Sequence, residues 1–131
     1  GLRVLFYPFI MMDIAAGNTL IDPYTGASGQ PVYPWRGRIT CSPAPGRPGT
    51  PDKTAAALGQ IDAFFGNASA AQFAVSGTTV SYTGPTDWGL RRMILHYAQL
   101  CKAAGGVDAF LIGSELRGLT SVRRLCARVM K

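Results

Sequence analysis

Hydrophobic and polar positions alternate in different rhythms along the chain, and each rhythm predicts an element. RVLFYPFI (3–10) is a continuous apolar run without alternation, the pattern of a strand covered on both faces in a parallel sheet. VDAFLIG (107–113) repeats that pattern and predicts a second buried strand. TPDKTAAALGQIDAFFG (50–66) predicts a helix with Thr50 as N-cap, Pro51 at its first position, Asp52 near the positive end of the dipole and Gly66 as its stop. Leu58, Ile61 and Phe65 then share one face. FAVSGTTVSYTG (73–84) reads as two short strands turning at Ser76-Gly77 or Gly77-Thr78. DWGLRRMILHYAQLCKAAGG (87–106) carries the clearest helical stripe, formed by Leu90, Met93, Ile94, Tyr97, Cys101 and Ala104, and Gly105-Gly106 ends it. From Ser114 onward the chain is expected to be helical again. Strand, long excursion, helix, strand, helix is the order of an α/β fold with a parallel sheet.

The excursion has its own composition. Residues 17–51 hold six Gly and seven Pro in 35 positions, too many for a helix or an interior strand, so a long loop is expected. Structureless loops longer than about 12–15 residues inside a domain are usually functional or disordered. The tract YPWRGRIT (33–40) argues for order, because disordered segments are poor in aromatic residues.

With 131 residues, 47% of them hydrophobic and 15% charged, the chain can bury a core as one domain. No apolar run approaches the roughly 18 residues needed to cross a bilayer, since VLFYPFIMM is interrupted by Pro8 and closed by Asp13. The chain starts at Gly1 without the basic, apolar and small-residue order of a secretory signal peptide, and a piece of a longer polypeptide is expected. A net charge of +6 raises nucleic acid as a partner, but four of the thirteen cations (Arg123, Arg124, Arg128 and Lys131) lie in the last nine residues and the others are scattered in pairs. A generic charge excess is the stronger reading, and nucleic acid is not an expected partner. Cys41, Cys101 and Cys126 are odd in number and lack CxxC spacing, so free thiols are expected rather than a metal cage. His96, the only histidine, falls beside the apolar stripe of its helix and reads as a surface or packing residue. No GxGxxG and no GxxxxGK[ST] is present, and neither cofactor nor metal is expected.

The residue that stands out is Glu115, the sole glutamate of the chain. It follows the second buried strand, and in parallel sheets and α/β barrels functional groups gather where strands end at their carboxyl edge. The competing reading is that Ser114 caps the next helix and Glu115 complements its dipole. A carboxyl group there suits glycoside hydrolysis, which needs a second one roughly 5–9.5 Å away. Asp13, just past the first strand, and Asp22, in the loop, are the local candidates, and each is equally suited to a turn or cap. Tyr33, Trp35, Arg36 and Arg38 have the chemistry of a sugar-binding wall, flat aromatic faces beside fixed guanidinium donors. The alternative is that Trp35 anchors the loop, with Arg36 stacked on it. Ser114 is not a nucleophile elbow, because Gly113 directly precedes it and Leu116 stands two after it.

Five strings, YPFIMMDI (7–14), YPWRGRITCSPAPG (33–46), PDKTAAA (51–57), RRMILHYAQLC (91–101) and GGVDAFLIGSELRGLT (105–120), together resemble the TIM-barrel-like, glycoside hydrolase-like domain of gene transfer agent and phage tail proteins. The resemblance covers about residues 1–122 and leaves 123–131 as a basic C-terminal tail. It implies an α/β fold, a partial (β/α)8 TIM-barrel-like segment with a long Gly/Pro-rich loop and a short β-hairpin insertion. It also implies hydrolysis of glycosidic bonds, with glycan or peptidoglycan and other phage tail subunits as partners. The implied location is the tail of a phage-like particle made in the bacterial cytoplasm. Within it, Glu115 matches the acid/base position, with Ser114 where such enzymes usually carry Asn, and with Trp35, Tyr33, Arg36, Arg38, Asp13 and Ser114 as candidate substrate contacts. The partner glutamate of such enzymes comes late in the barrel, and this chain has no second glutamate. A full barrel takes about 250 residues, so 131 supply about half, and no turnover is expected from the chain by itself. The alternative is a structural or carbohydrate-binding module of a tail assembly, without catalysis.

Overall fold

A computed structural model describes residues 1–123 of the chain; of the basic tail expected at 123–131, residues 124–131, with Cys126, lie outside the described residues. The elements run β1 (Leu5–Phe6), a 3-10 turn (Arg36–Arg38), α1 (Ala55–Phe65), a second 3-10 turn (Ala70–Gln72), β2 (Phe73–Ser76), β3 (Thr79–Tyr82), α2 (Leu90–Ala103), β4 (Ala109–Phe110) and α3 (Arg117–Thr120). They divide into two compact units, one of residues 1–9 and 62–114 and the other of residues 10–61 and 115 onward. Helix and strand are mixed, as predicted, while the sheets among the described residues are small and not closed.

In the first unit β1 and β4 pair in parallel, Leu5 opposite Ala109 and Phe6 opposite Phe110. The Asp108 carboxylate accepts the Val4 N–H at 2.7 Å and the Leu111 N–H reaches the Phe6 carbonyl at 3.0 Å. The Phe6 and Phe110 rings stack across the pair at 5.8 Å, and Tyr97 of α2 meets Phe6 at 5.6 Å. That contact covers one face. The predicted coverage on both faces is not present: Val4, Leu5 and Ile112 are exposed. The reason is strand number, since an apolar run is buried on two sides only when further layers flank its sheet, and this sheet has two strands with one helix against it.

The hairpin forms as predicted, with Val75 opposite Val80 and Ser76 opposite Thr79, which makes Gly77-Thr78 the two-residue turn. Gly77 sits at φ +57°, as expected for the first central residue of a tight turn of this length. Both strands pack on α2. Phe73 contacts Tyr82 at 4.7 Å and His96 at 6.4 Å, and His96 meets Tyr97 edge-on at 5.7 Å. The lone histidine is therefore a packing residue. The apolar stripe of α2 faces these partners with Cys101 buried, whereas Ala104 is exposed just beyond the helix end.

The second unit is mostly loop, held by side chains rather than ladders. Asn18 accepts the backbone N–H groups of Leu20 and Gln30 and donates to the carbonyls of Ala15 and Gln30. Ile21 and Ser28 form an isolated bridge. Such bonds replace the ladder that the seven prolines of this region forbid. The helix predicted from Thr50 begins later, at Ala55: Thr50 Oγ1 accepts the Asp52 N–H, Lys53 adopts φ +67°, and Thr54 Oγ1 accepts the Ala56 N–H instead. A left-handed residue cannot continue a right-handed helix, so Lys53 moves the start forward by a turn. Buried Asp52 then binds Arg123, with 2.6 Å to Nη2, 3.2 Å to Nε and 2.6 Å to the backbone N–H.

Candidate functional site

Glu115 is bound by two of the residues singled out from the loop. Trp35 Nε1 donates to Glu115 Oε2 at 3.0 Å, and Arg36 Nη2 stands 2.6 Å from the same oxygen. All three belong to the second unit. The Glu115 side chain is 50% exposed while that of Arg36 is only 17% exposed, so the carboxylate sits at the surface over a sunken guanidinium. Glu115 has φ +56°, a left-handed conformation that non-glycine residues adopt at a cost of order 1–3 kcal/mol and that clusters at functional positions.

Two glycines make the arrangement possible. A side chain on Gly37 would collide with the Trp35 ring, so that indole lies flat against the Gly37 backbone. Gly118 lets α3 press on the 3-10 turn, against the carbonyls of Gly37 and Ile39 and the hydroxyl of Tyr24. Three residues before Gly118, Glu115 is thereby delivered to Trp35 and Arg36.

Arg38 goes elsewhere. Its Nη2 binds Asp22 Oδ2 at 2.8 Å, and its guanidinium lies 4.5 Å above the Tyr24 ring. Asp22 is 7% exposed and also accepts the N–H groups of Tyr24 and Thr25 at 2.7 and 3.2 Å. Burial works to raise its pKa, but the two backbone N–H groups and the Arg38 guanidinium outweigh it and hold the carboxyl below the usual range. Asp22 is the cap of a loop turn, with its acceptor oxygens engaged. Asp13 and Tyr33 are exposed.

Neither reading of Ser114 as a helix cap nor of Glu115 as a first-turn acid holds. The cap position of α3 is Leu116, the first turn of α3 contains no acid, and Ser114 Oγ bonds the Tyr7 hydroxyl within the first unit. Tyr7 directly follows β1, and Ser114 follows β4 by four residues, so their bond lies at the carboxyl edge of the parallel pair. Sequence reasoning missed Tyr7 as a polar partner, because it lies inside an apolar run. It is the one residue there with a hydroxyl at the end of a strand, and that was the available signal.

No helix among the described residues is long and apolar enough to cross a membrane. No curated protein matches the chain significantly. Residues 88–128, the stretch that holds α2, β4 and Glu115, match the family model of the GTA TIM-barrel-like domain, the family that the five strings resemble.

Proposed function

We propose that the chain is a glycoside hydrolase-like segment of a tail protein in a phage-like particle, and that it engages glycan through Trp35, Arg36 and Glu115 without turning it over by itself. The observation that carries this reading is the convergence of Trp35 and Arg36 on one oxygen of the sole glutamate. An exposed indole face, a fixed guanidinium and a carboxylate side by side supply the apolar platform and the oriented polar groups that recognise a hydroxyl-bearing ring. Glycoside cleavage needs a second carboxyl facing the first, and Asp22 is committed to Arg38 and two backbone groups. Tyr33 and Asp13, both exposed, remain candidate contacts.

The test is calorimetry of the full chain with soluble peptidoglycan fragments, beside a turnover assay with the same fragments. Binding lost in Trp35→Ala and weakened in Glu115→Gln, with no turnover by the unsubstituted chain, supports recognition without catalysis. The strained backbone at Glu115 favours a second, catalytic reading. Turnover by the full chain that disappears in Glu115→Gln would establish it and overturn the first.

A further inference from the structure

The first unit holds a cavity of about 490 Å³ between β3 and the first turns of α2, lined by Val80, Tyr82, Trp88, Arg92, Met93 and His96 among others. That volume lies within the roughly 300–1,000 Å³ of small-molecule sites. Trp88 stands at its mouth with 82% of its surface exposed. The Arg92 guanidinium is clamped between two rings, 4.2 Å from the centre of Tyr82 and 4.0 Å from that of Trp88. Its Nη1 donates to the Asp87 carbonyl at 3.0 Å, which fixes the fork and uses one of the five N–H donors that a guanidinium has. Among the described residues the ion pairs are Arg36–Glu115, Arg38–Asp22 and Arg123–Asp52, so Arg92 is in none of them. The nearest acid in the chain is Asp87, whose two oxygens take the N–H groups of Asn67 and Gly89 at 2.5 and 2.7 Å and whose charge acts on Arg92 without an ion-pair contact.

We infer that this cavity is a binding site for a carboxylate carried on a six-membered ring, with Arg92 taking the carboxylate and the open face of Trp88 taking the ring. A pre-oriented guanidinium outside any ion-pair contact binds a carboxylate by charge-assisted, bidentate bonds, and here the side-chain entropy of holding it in place has already been met by the two rings. An indole exposed over most of its surface, held by a cation on one side, offers its other face to a flat or chair-shaped ring. A sugar acid and an aromatic acid share this chemistry. The inference stands apart from Trp35 and Glu115, which belong to the other unit.

The test follows the two indole N–H signals of the full chain by NMR, assigned with Trp35→Phe and Trp88→Phe, while glucuronate, benzoate, glucose or benzamide is added. The expected result is a saturable shift of the Trp88 signal by at least one of the two acids, with a dissociation constant of about 1 mM. Its uncharged counterpart should bind about tenfold more weakly or worse, and Arg92→Gln should remove that difference while leaving the spectrum otherwise folded. Whichever acid binds more tightly identifies the source of the ligand. No Trp88 shift with either acid up to about 50 mM, or equal binding of the acids and their neutral counterparts, overturns the inference.

Discussion

A methyl group added to Gly118 would stand 2.7 Å from the carbonyl oxygen of Gly37 and 2.6 Å from that of Ile39. Both obstacles are backbone, which cannot rotate aside as a side-chain tip would. Gly118→Ala should therefore destabilise the second unit by about 1–3 kcal/mol, the usual range for overpacking, and should weaken the contact of Trp35 with Glu115. Gly59, in the interior of α1 with open space where its Cβ would be, is the control. Gly59→Ala should stabilise by roughly 0.5–1 kcal/mol through helix propensity. Urea unfolding of both variants reads the opposite signs, and equal signs would contradict the packing.

In the Arg36–Glu115 pair the guanidinium is sunken but the carboxylate is half exposed to solvent, and pairs screened in this way contribute about 0–1 kcal/mol. Glu115→Gln should thus shift the urea midpoint little. What should change is local: the Trp35 indole N–H exchanges a charged acceptor for a neutral one, and its proton resonance should move upfield as the bond weakens. An unchanged resonance would mean that the indole does not hold Glu115 in solution.

Asp52 makes stability depend on pH with a defined sign. The Arg123 side chain, then the Arg123 backbone N–H, hold its carboxyl below the usual range and outweigh the opposing effect of burial. A carboxyl lowered in the folded state gives stability that is complete above its unfolded pKa of roughly 3.9 and is lost as pH falls through the lower folded value. Wild type should exceed Asp52→Asn in stability between pH 5 and 7 by an amount that shrinks below about pH 4. Urea midpoints of both proteins across that range test it, and a gap that stays constant to pH 3 or grows on acidification would refute the pairing.

The features legible in the sequence were those fixed by local periodicity. The hairpin at 73–82 followed from alternation around a glycine, and α2 from its stripe, because each element finds its partner within a few residues or turns. Coverage of β1 and β4 was not legible, since the same apolar run serves a sheet with one flanking layer or two. In the loop, the chemistry of Trp35, Arg36 and Arg38 was visible but its partition was not. A 3-10 turn advances three residues per turn, so residues 36 and 38 point in different directions, and Arg36 meets Glu115 while Arg38 meets Asp22. The left-handed backbone of Glu115 had no signal, because glutamate does not favour it.

The bond between Tyr7 and Ser114 ties the two strand ends of the parallel pair together across 107 positions of sequence. Backbone pairing extends over only two residues in each strand, so register depends on what flanks it: Asp108 on Val4 at one end, the two hydroxyls at the other. A neutral side-chain hydrogen bond contributes about 0.5–1.5 kcal/mol net. Tyr7→Phe and Ser114→Ala should each cost an amount in that range, and each leaves a half-buried hydroxyl without its partner. The double variant should then cost less than the two singles added, because the second substitution removes a group already orphaned by the first. Phe6 and Phe110 stack directly beside these ends, so amide hydrogen exchange at Leu111, whose N–H bonds the Phe6 carbonyl, should accelerate in all three variants. Strict additivity together with unchanged exchange at Leu111 would show that the two hydroxyls do not act on each other and that the aromatic stack alone sets the register.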